Sequence, residues 1–94
     1  MADDCIFCNI ANKTITASIV YEDDELMVVQ DILPKAPVHL LVIPKVHIAS
    51  VNDLDDAHVG IAGKMILTAR DQAHQHGIAE SGYKLIFNVG PDGG

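Results

Sequence analysis

Ninety-four residues make one small domain, residues 1–94, which buries roughly 60 to 65% of the surface its unfolded chain exposes and leaves room for help from a metal or a partner subunit. A formal charge of −7 and an isoelectric point near 4.8 argue against a DNA or RNA polymer as partner, because a phosphate-tracking surface needs clustered Lys and Arg and the six basic residues here are scattered. The longest apolar run, Leu40-Leu-Val-Ile43, is far shorter than the ~20 residues that span a bilayer, and Met1-Ala-Asp-Asp4 is acidic where a signal peptide is basic, so the chain reads as soluble and cytoplasmic, with no membrane partner.

Hydrophobic residues make up 49% of the chain but aromatic ones only 4%, so the core is expected to be aliphatic, which suits a sheet packed on helices. Asp3 or Asp4 can cap a short helix through about Asn12, with Ile6, Ile10 and Phe7 on its apolar side. Ile19-Val-Tyr21 reads as a strand, the acidic stretch 22–25 as a turn, and Leu26 to about Asp31 as a second strand, joined most simply as an antiparallel hairpin. Leu33-Pro-Lys-Ala-Pro37 is a loop, because two nearby prolines forbid regular pairing. Val38 to Ile43, apolar at almost every position and stopped by Pro44, predicts a central strand buried on both faces.

Further on, Asp53, Asp55 and Asp56 open a long helix, where the positive end of the helix dipole favours them, and Gly77 closes it. Val59, Ala62, Ile66, Ala69 and Ala73 recur at three- and four-residue steps and mark its apolar stripe. Tyr83-Lys-Leu-Ile-Phe-Asn-Val89 reads as a last strand, and Gly90-Pro-Asp-Gly-Gly94 as a turn expected to lead into another. The predicted order is α-β-β-β-α-β, without repeats or linkers.

Cys5 and Cys8 form a C-x-x-C pair, which in an intracellular chain points to metal ligation or redox chemistry before a structural disulfide. His47, just past the proline-stopped strand, complements them: two thiolates and an imidazole suit zinc, which takes four tetrahedral N or S ligands. The plainer alternative is two reduced packing cysteines and an exposed histidine. A thioredoxin-like role is disfavoured, because no strand precedes the pair.

Taken together, Cys5-Ile-Phe-Cys8-x-Ile10, Val20-Tyr-Glu-Asp-Asp24, Gln30-Asp-Ile32 with Pro34 and Ala36-Pro37, His39-Leu-Leu-Val-Ile-Pro44-Lys45-x-His47, and Asn88-x-Gly90-x-Asp92-Gly-Gly94 resemble the histidine triad (HIT) family, in its Hint-like branch of nucleoside phosphoramidases and nucleotide hydrolases. The resemblance runs from Asp4 to Gly94. It implies an α+β, HIT-like fold: a short N-terminal helix, one long helix, and an antiparallel sheet of which four strands are present and a fifth is missing. It also implies a homodimer that meets through the long helix, roughly 56–76, and the strand at 83–89. By the same resemblance Phe7 and Ile10 sandwich the base of a purine nucleotide such as AMP or GMP, or else are simple core. Asp31 bonds the ribose hydroxyls with Ile32 beside it, and Asn88 and the turn ending at Gly94 approach the phosphate. Cys5, Cys8 and His47 hold a structural Zn2+. His39 either orients a catalytic partner or is a core histidine, and His58, His74 and His76 match no family motif and are expected to face solvent.

Family members form a nucleotidylated histidine on a His-x-His-x-His strand that begins after the Asp-Gly-Gly turn, a case of covalent catalysis. The first histidine of that strand supplies the fourth zinc ligand. No such triad occurs in these 94 residues, so the resemblance favours a truncated, by itself inactive form of a HIT hydrolase. The alternatives are a non-catalytic nucleotide-binding scaffold and a zinc-binding structural protein.

Overall fold

The computed structural model describes residues 5–93; Asp3 and Asp4, expected as helix caps, lie outside the described residues, as does Gly94. The chain divides into two compact units, one reaching His47 and the other beginning at Ile48. None of the helices among the described residues is long and apolar enough to cross a membrane.

In the first unit, α1 spans Ile6–Ala11 and is capped at its N-terminus by Cys5, whose Sγ accepts from the Cys8 N–H at 3.2 Å. Its end is a tight reversal in which Lys13 N–H donates to the Ile10 carbonyl and Thr14 N–H to the Asn9 carbonyl, satisfying the last free carbonyls of the helix. That reversal puts Lys13 at φ 67°, a left-handed conformation more usual for glycine and worth about 1 kcal/mol or more of strain in any other residue. The Lys13 ammonium lies 3.2 Å from the Glu22 carboxylate, a contact glycine could not supply.

The sheet is antiparallel, β1 (Ile19–Glu22), β2 (Leu26–Gln30) and β3 (Leu40–Pro44), in the order β1-β2-β3. The β1–β2 hairpin forms as expected: Asp23 Oδ1 accepts from the Glu25 and Leu26 N–H groups at 2.8 and 3.0 Å, closing the acidic turn. A register shift between Ile19, opposite Val29, and Tyr21, opposite Val28, makes a β-bulge that turns the end of β1 onto the other face. Met27 and Val29 of β2, Ile43 of β3 and Ile10 of α1 form the core cluster, with Ala11, Ala17 and Leu41 packed against it.

Two expectations need correction. The strand buried on both faces is β2, whose Leu26, Met27, Val28 and Val29 are all 0–1% exposed, whereas in β3 only Ile43 is fully buried. A strand flanked on both sides loses its surface on every edge, and β3 has one ladder partner among the described residues. The sheet also has three strands, not four, among the described residues: residues 83–89 take no regular secondary structure and join no ladder. High β-propensity becomes a strand only when inter-strand hydrogen bonds form.

In the second unit, Asp55 caps a 3-10 turn over Asp56–His58 that runs directly into α2 (Val59–Gln75). Its carboxylate accepts from the Ala57 N–H at 2.8 Å, and its own N–H donates to His58 Nδ1 at 3.1 Å. At the other end Gly77 takes φ 73°, its N–H bonding the His74 carbonyl and the Ile78 N–H bonding Ala73, so glycine closes the helix as expected. The apolar stripe is split: Val59 is 70% and Ile66 47% exposed, whereas Ala73 is buried, Ala62 and Ala69 are half-buried, and Ile61, Met65, Thr68 and Gln72 also turn inward. The helix carries two interleaved stripes, and polar residues at 68 and 72 disguise the buried one. His58 and His76 also depart from a purely solvent-facing role. The first belongs to the helix cap, and His76 Nδ1 contacts the Gln72 carbonyl at 2.9 Å; His74 is exposed.

Candidate functional site

The helix cap that begins α1 and the chain leaving β3 bring three metal-ligand atoms together. Cys5, Cys8 and His47 each offer one donor, and all three lie within 4.8 Å of one another. Cys8 Sγ and His47 Nδ1 are 3.0 Å apart, and both thiols are half-buried and free. Cys8, through its side chain and then its N–H, holds the Cys5 thiol below its ordinary pKa, whereas the Cys5 sulfur and then burial push Cys8 up. Cys5 is thus the readier thiolate, the form that ligates a metal. Two sulfurs and an imidazole within this span fit three corners of a tetrahedral zinc site. Among the described residues this is the one group of three or more such side chains placed to hold a metal.

A second constellation lies at the joint of β2 and β3, inside the same unit. Asp31 follows β2, and its N–H donates to the His39 carbonyl at 3.0 Å, so the loop between them closes on itself. Asp31 Oδ1 accepts from the Leu33 N–H at 2.9 Å, and Oδ2 lies 3.3 Å from His39 Nε2. His39 Nδ1 in turn accepts from the Lys35 N–H at 3.0 Å. Ile32 is 81% exposed next to the fixed carboxylate.

The other expected site residues divide. Phe7 is 47% exposed, while Ile10 is buried within the core cluster. Asn88 is exposed in the irregular segment of the second unit, where the turn after it has Gly90 at φ 71° and a Cβ built on Gly93 would lie 3.6 Å from the Asn88 carbonyl carbon.

A third feature had no clear signal in the sequence. Glu22 is held by Lys45 at 2.7 Å and Lys13 at 3.2 Å, tying the end of α1 to the last residue of β1 and to the residue that follows β3. Lys45, then Lys13, lowers the Glu22 carboxyl below the usual glutamate pKa. Only the position of Lys45 directly after Pro44 hinted at it, since a strand that stops at a fixed residue fixes its neighbour too.

Residues 4–92 match the family described as "Scavenger mRNA decapping enzyme C-term binding". The structure superposes with a TM-score of 0.94 on a HIT family hydrolase from Legionella pneumophila Philadelphia 1, at 43% sequence identity over 97% of this chain and 81% of that one. The chain belongs to the histidine triad family. Over its full 94 residues this HIT chain is also 45% identical to the purine nucleoside phosphoramidase of Escherichia coli (strain K12), spanning 79% of that protein. It is 39% identical over 92 residues, 96% of the chain and 80% of the relative, to the 14 kDa zinc-binding protein of Brassica juncea. The α+β, HIT-like fold expected from the motifs is therefore present, with three strands where four were expected among the described residues.

Proposed function

We propose that these residues form the nucleotide-binding part of a HIT hydrolase that acts on purine nucleoside phosphoramidates or related nucleotide conjugates. The observation that carries this reading is Asp31: a carboxylate 22% exposed, held by the Leu33 N–H with His39 Nε2 3.3 Å away, and with acceptor capacity left for a sugar diol. Likeness to a purine nucleoside phosphoramidase supports the same class of ligand. In this reading AMP or GMP binds to the first unit, with Phe7 toward the base and Ile32 beside the ribose. The five histidines, at 39, 47, 58, 74 and 76, include no His-x-His-x-His spacing, so in this reading the 94 residues bind the nucleotide and do not themselves supply a nucleotidyl-histidine nucleophile. Calorimetry with AMP tests it: Asp31→Ala should weaken binding about ten- to hundredfold, the cost of hydrogen bonds to a charged acceptor. Unchanged affinity, or hydrolysis of adenosine phosphoramidate by these 94 residues, would count against the reading.

Cys5, Cys8 and His47 hold Zn2+ in the same reading, the ion acting as a cross-link between the start of α1 and the end of β3 rather than in the reaction. Dimerisation through α2 completes it. Val59, Ile66 and Leu67 are 70, 47 and 51% exposed, and a Cβ built on Gly60 or Gly63 meets nothing within 4 Å, so this face is apolar and open to close helix packing. Sedimentation should give a dimer for the wild type and a monomer for Ile66→Glu. A wild type that stays monomeric at high concentration removes this part of the proposal.

A further inference from the structure

Cys5 and Cys8 meet across the first turn of α1. Cys5 is the cap residue, extended at φ −94° and ψ 110° and so outside the helical repeat, and its sulfur accepts from the Cys8 N–H at 3.2 Å, which draws it over the turn. Both thiols are free and half-buried, and the two sulfurs lie within 4.8 Å of each other. Side chains one helical turn apart have Cβ atoms about 5–6 Å apart, while a disulfide brings them to about 3.8 Å with the sulfurs about 2.05 Å apart. Closing that gap takes rotation of the two side chains and a small inward shift of Cys5, the member of the pair that lies outside the helix.

A metal and a disulfide compete for the same electrons. Zinc is held by thiolate sulfur, and a sulfur bonded to another sulfur has no negative charge left to offer it. Once Cys5 and Cys8 are joined, His47 is the one remaining donor of the cluster, and a single exposed imidazole does not hold an ion that takes four ligands. The two links also differ in reach. Zinc ties α1 to His47, 39 positions beyond Cys8, whereas a disulfide joins two residues three positions apart and leaves His47 unattached.

We propose that Cys5 and Cys8 form a two-electron redox pair, which hydrogen peroxide closes to an intramolecular disulfide, releasing the metal and with it the link between α1 and the end of β3. The first half stands on the two sulfurs alone, and the second rests on the zinc reading above. One sulfur attacks a peroxide oxygen and the O–O bond breaks; that sulfur becomes a sulfenic acid, and the other oxygen leaves as water with the thiol proton. The second sulfur then attacks the first, the S–S bond forms, the S–O bond breaks, and the hydroxyl leaves as a second water with the second thiol proton. Two thiols are oxidised and one peroxide is reduced. From the zinc form the ion departs as Zn2+ and solvent supplies the two protons.

The test treats metal-free and zinc-loaded protein with one equivalent of hydrogen peroxide. Metal-free wild type should lose both of its two thiols, fall in mass by two hydrogens without gaining oxygen, stay a single chain on a non-reducing gel, and recover both thiols with dithiothreitol. His47→Ala, which keeps both sulfurs, should close the same disulfide. Zinc-loaded wild type should release zinc to a chromophoric indicator in step with thiol loss, one ion per disulfide. Cys8→Ser cannot close the ring and should instead gain oxygen at Cys5 or cross-link between chains. Gain of oxygen or cross-linking in the metal-free wild type overturns the proposal, as does a disulfide that forms while zinc stays bound. Protein that retains no zinc before peroxide is added, yet closes the disulfide, overturns the zinc reading and the release that depends on it. Protein that retains zinc and closes no disulfide overturns the redox pair and leaves the zinc reading standing.

Discussion

Replacing Cys8 by Ser is expected to abolish zinc retention and to lower the melting temperature in zinc-containing buffer by roughly 15–30 °C. The size follows from mass action. A metal present at about a thousand times its dissociation constant stabilises the folded form by about 4 kcal/mol. Each kcal/mol moves a domain of this size by about 4–8 °C. Without metal the substitution removes only a thiol–imidazole contact at 3.0 Å and should cost little, so the two readings of the cysteines differ by an order of magnitude in energy. Cys8 is the better position to change, because Cys5 also caps α1, and losing a cap costs about 1 kcal/mol by itself. Elemental analysis and thermal melting with and without a chelator make the measurement: chelation should bring the wild type down to the variant and leave the variant unmoved. Equal melting temperatures for the two proteins in zinc would return Cys5, Cys8 and His47 to ordinary packing residues.

The second large effect is expected at Met27, where truncation to Ala should remove about 2–5 kcal/mol of unfolding free energy. Met27 is 0% exposed, lies opposite Ile43 in the ladder, and packs with Ile10, Val29 and Ile43 in the core cluster. Removing its side chain loses both transfer energy and the contacts around the cavity left behind. A small domain has a margin of only about 5–15 kcal/mol, so such a loss brings it close to unfolding at room temperature. Met27→Leu keeps the volume and should cost less than about 1.5 kcal/mol. Ile32→Ala, at a position 81% exposed, should stay within about 0.5 kcal/mol. Urea denaturation of the three variants ranks them, and similar midpoints for Met27→Ala and Ile32→Ala would contradict the placement of β2 at the centre of the core.

Much of this architecture was legible in the chain because its signals are local. The turn at Asp23, the cap at Asp55 and the closure at Gly77 are each decided by hydrogen bonds reaching two to five residues, and each was readable from residue type. The errors came where a decision is made at a distance. Leu40 to Ile43 is as apolar a run as Leu26 to Val29, yet β2 is the buried strand, because burial depends on how many neighbours a strand acquires. On α2 the large members of the evident stripe, Val59 and Ile66, face outward while Ala73 is buried beside the polar Thr68 and Gln72. The Cys5 cap was missed for a different reason: cysteine is rarely a cap, and the choice follows from its sulfur being held beside Cys8.

The sequence by itself determined the two helices, the β1–β2 hairpin, the C-x-x-C spacing, the proline-bracketed strand and membership of the histidine triad family, since all of these are carried by residue identity at short or fixed separations. Only the tertiary structure decided that Cys8 and His47 meet across 39 positions, that β2 and not β3 fills the core, and that one nitrogen of His39 serves Lys35 while the other faces Asp31. Those outcomes depend on chain reversals and on competition between side chains for the same space and the same hydrogen bonds, which a linear pattern does not record.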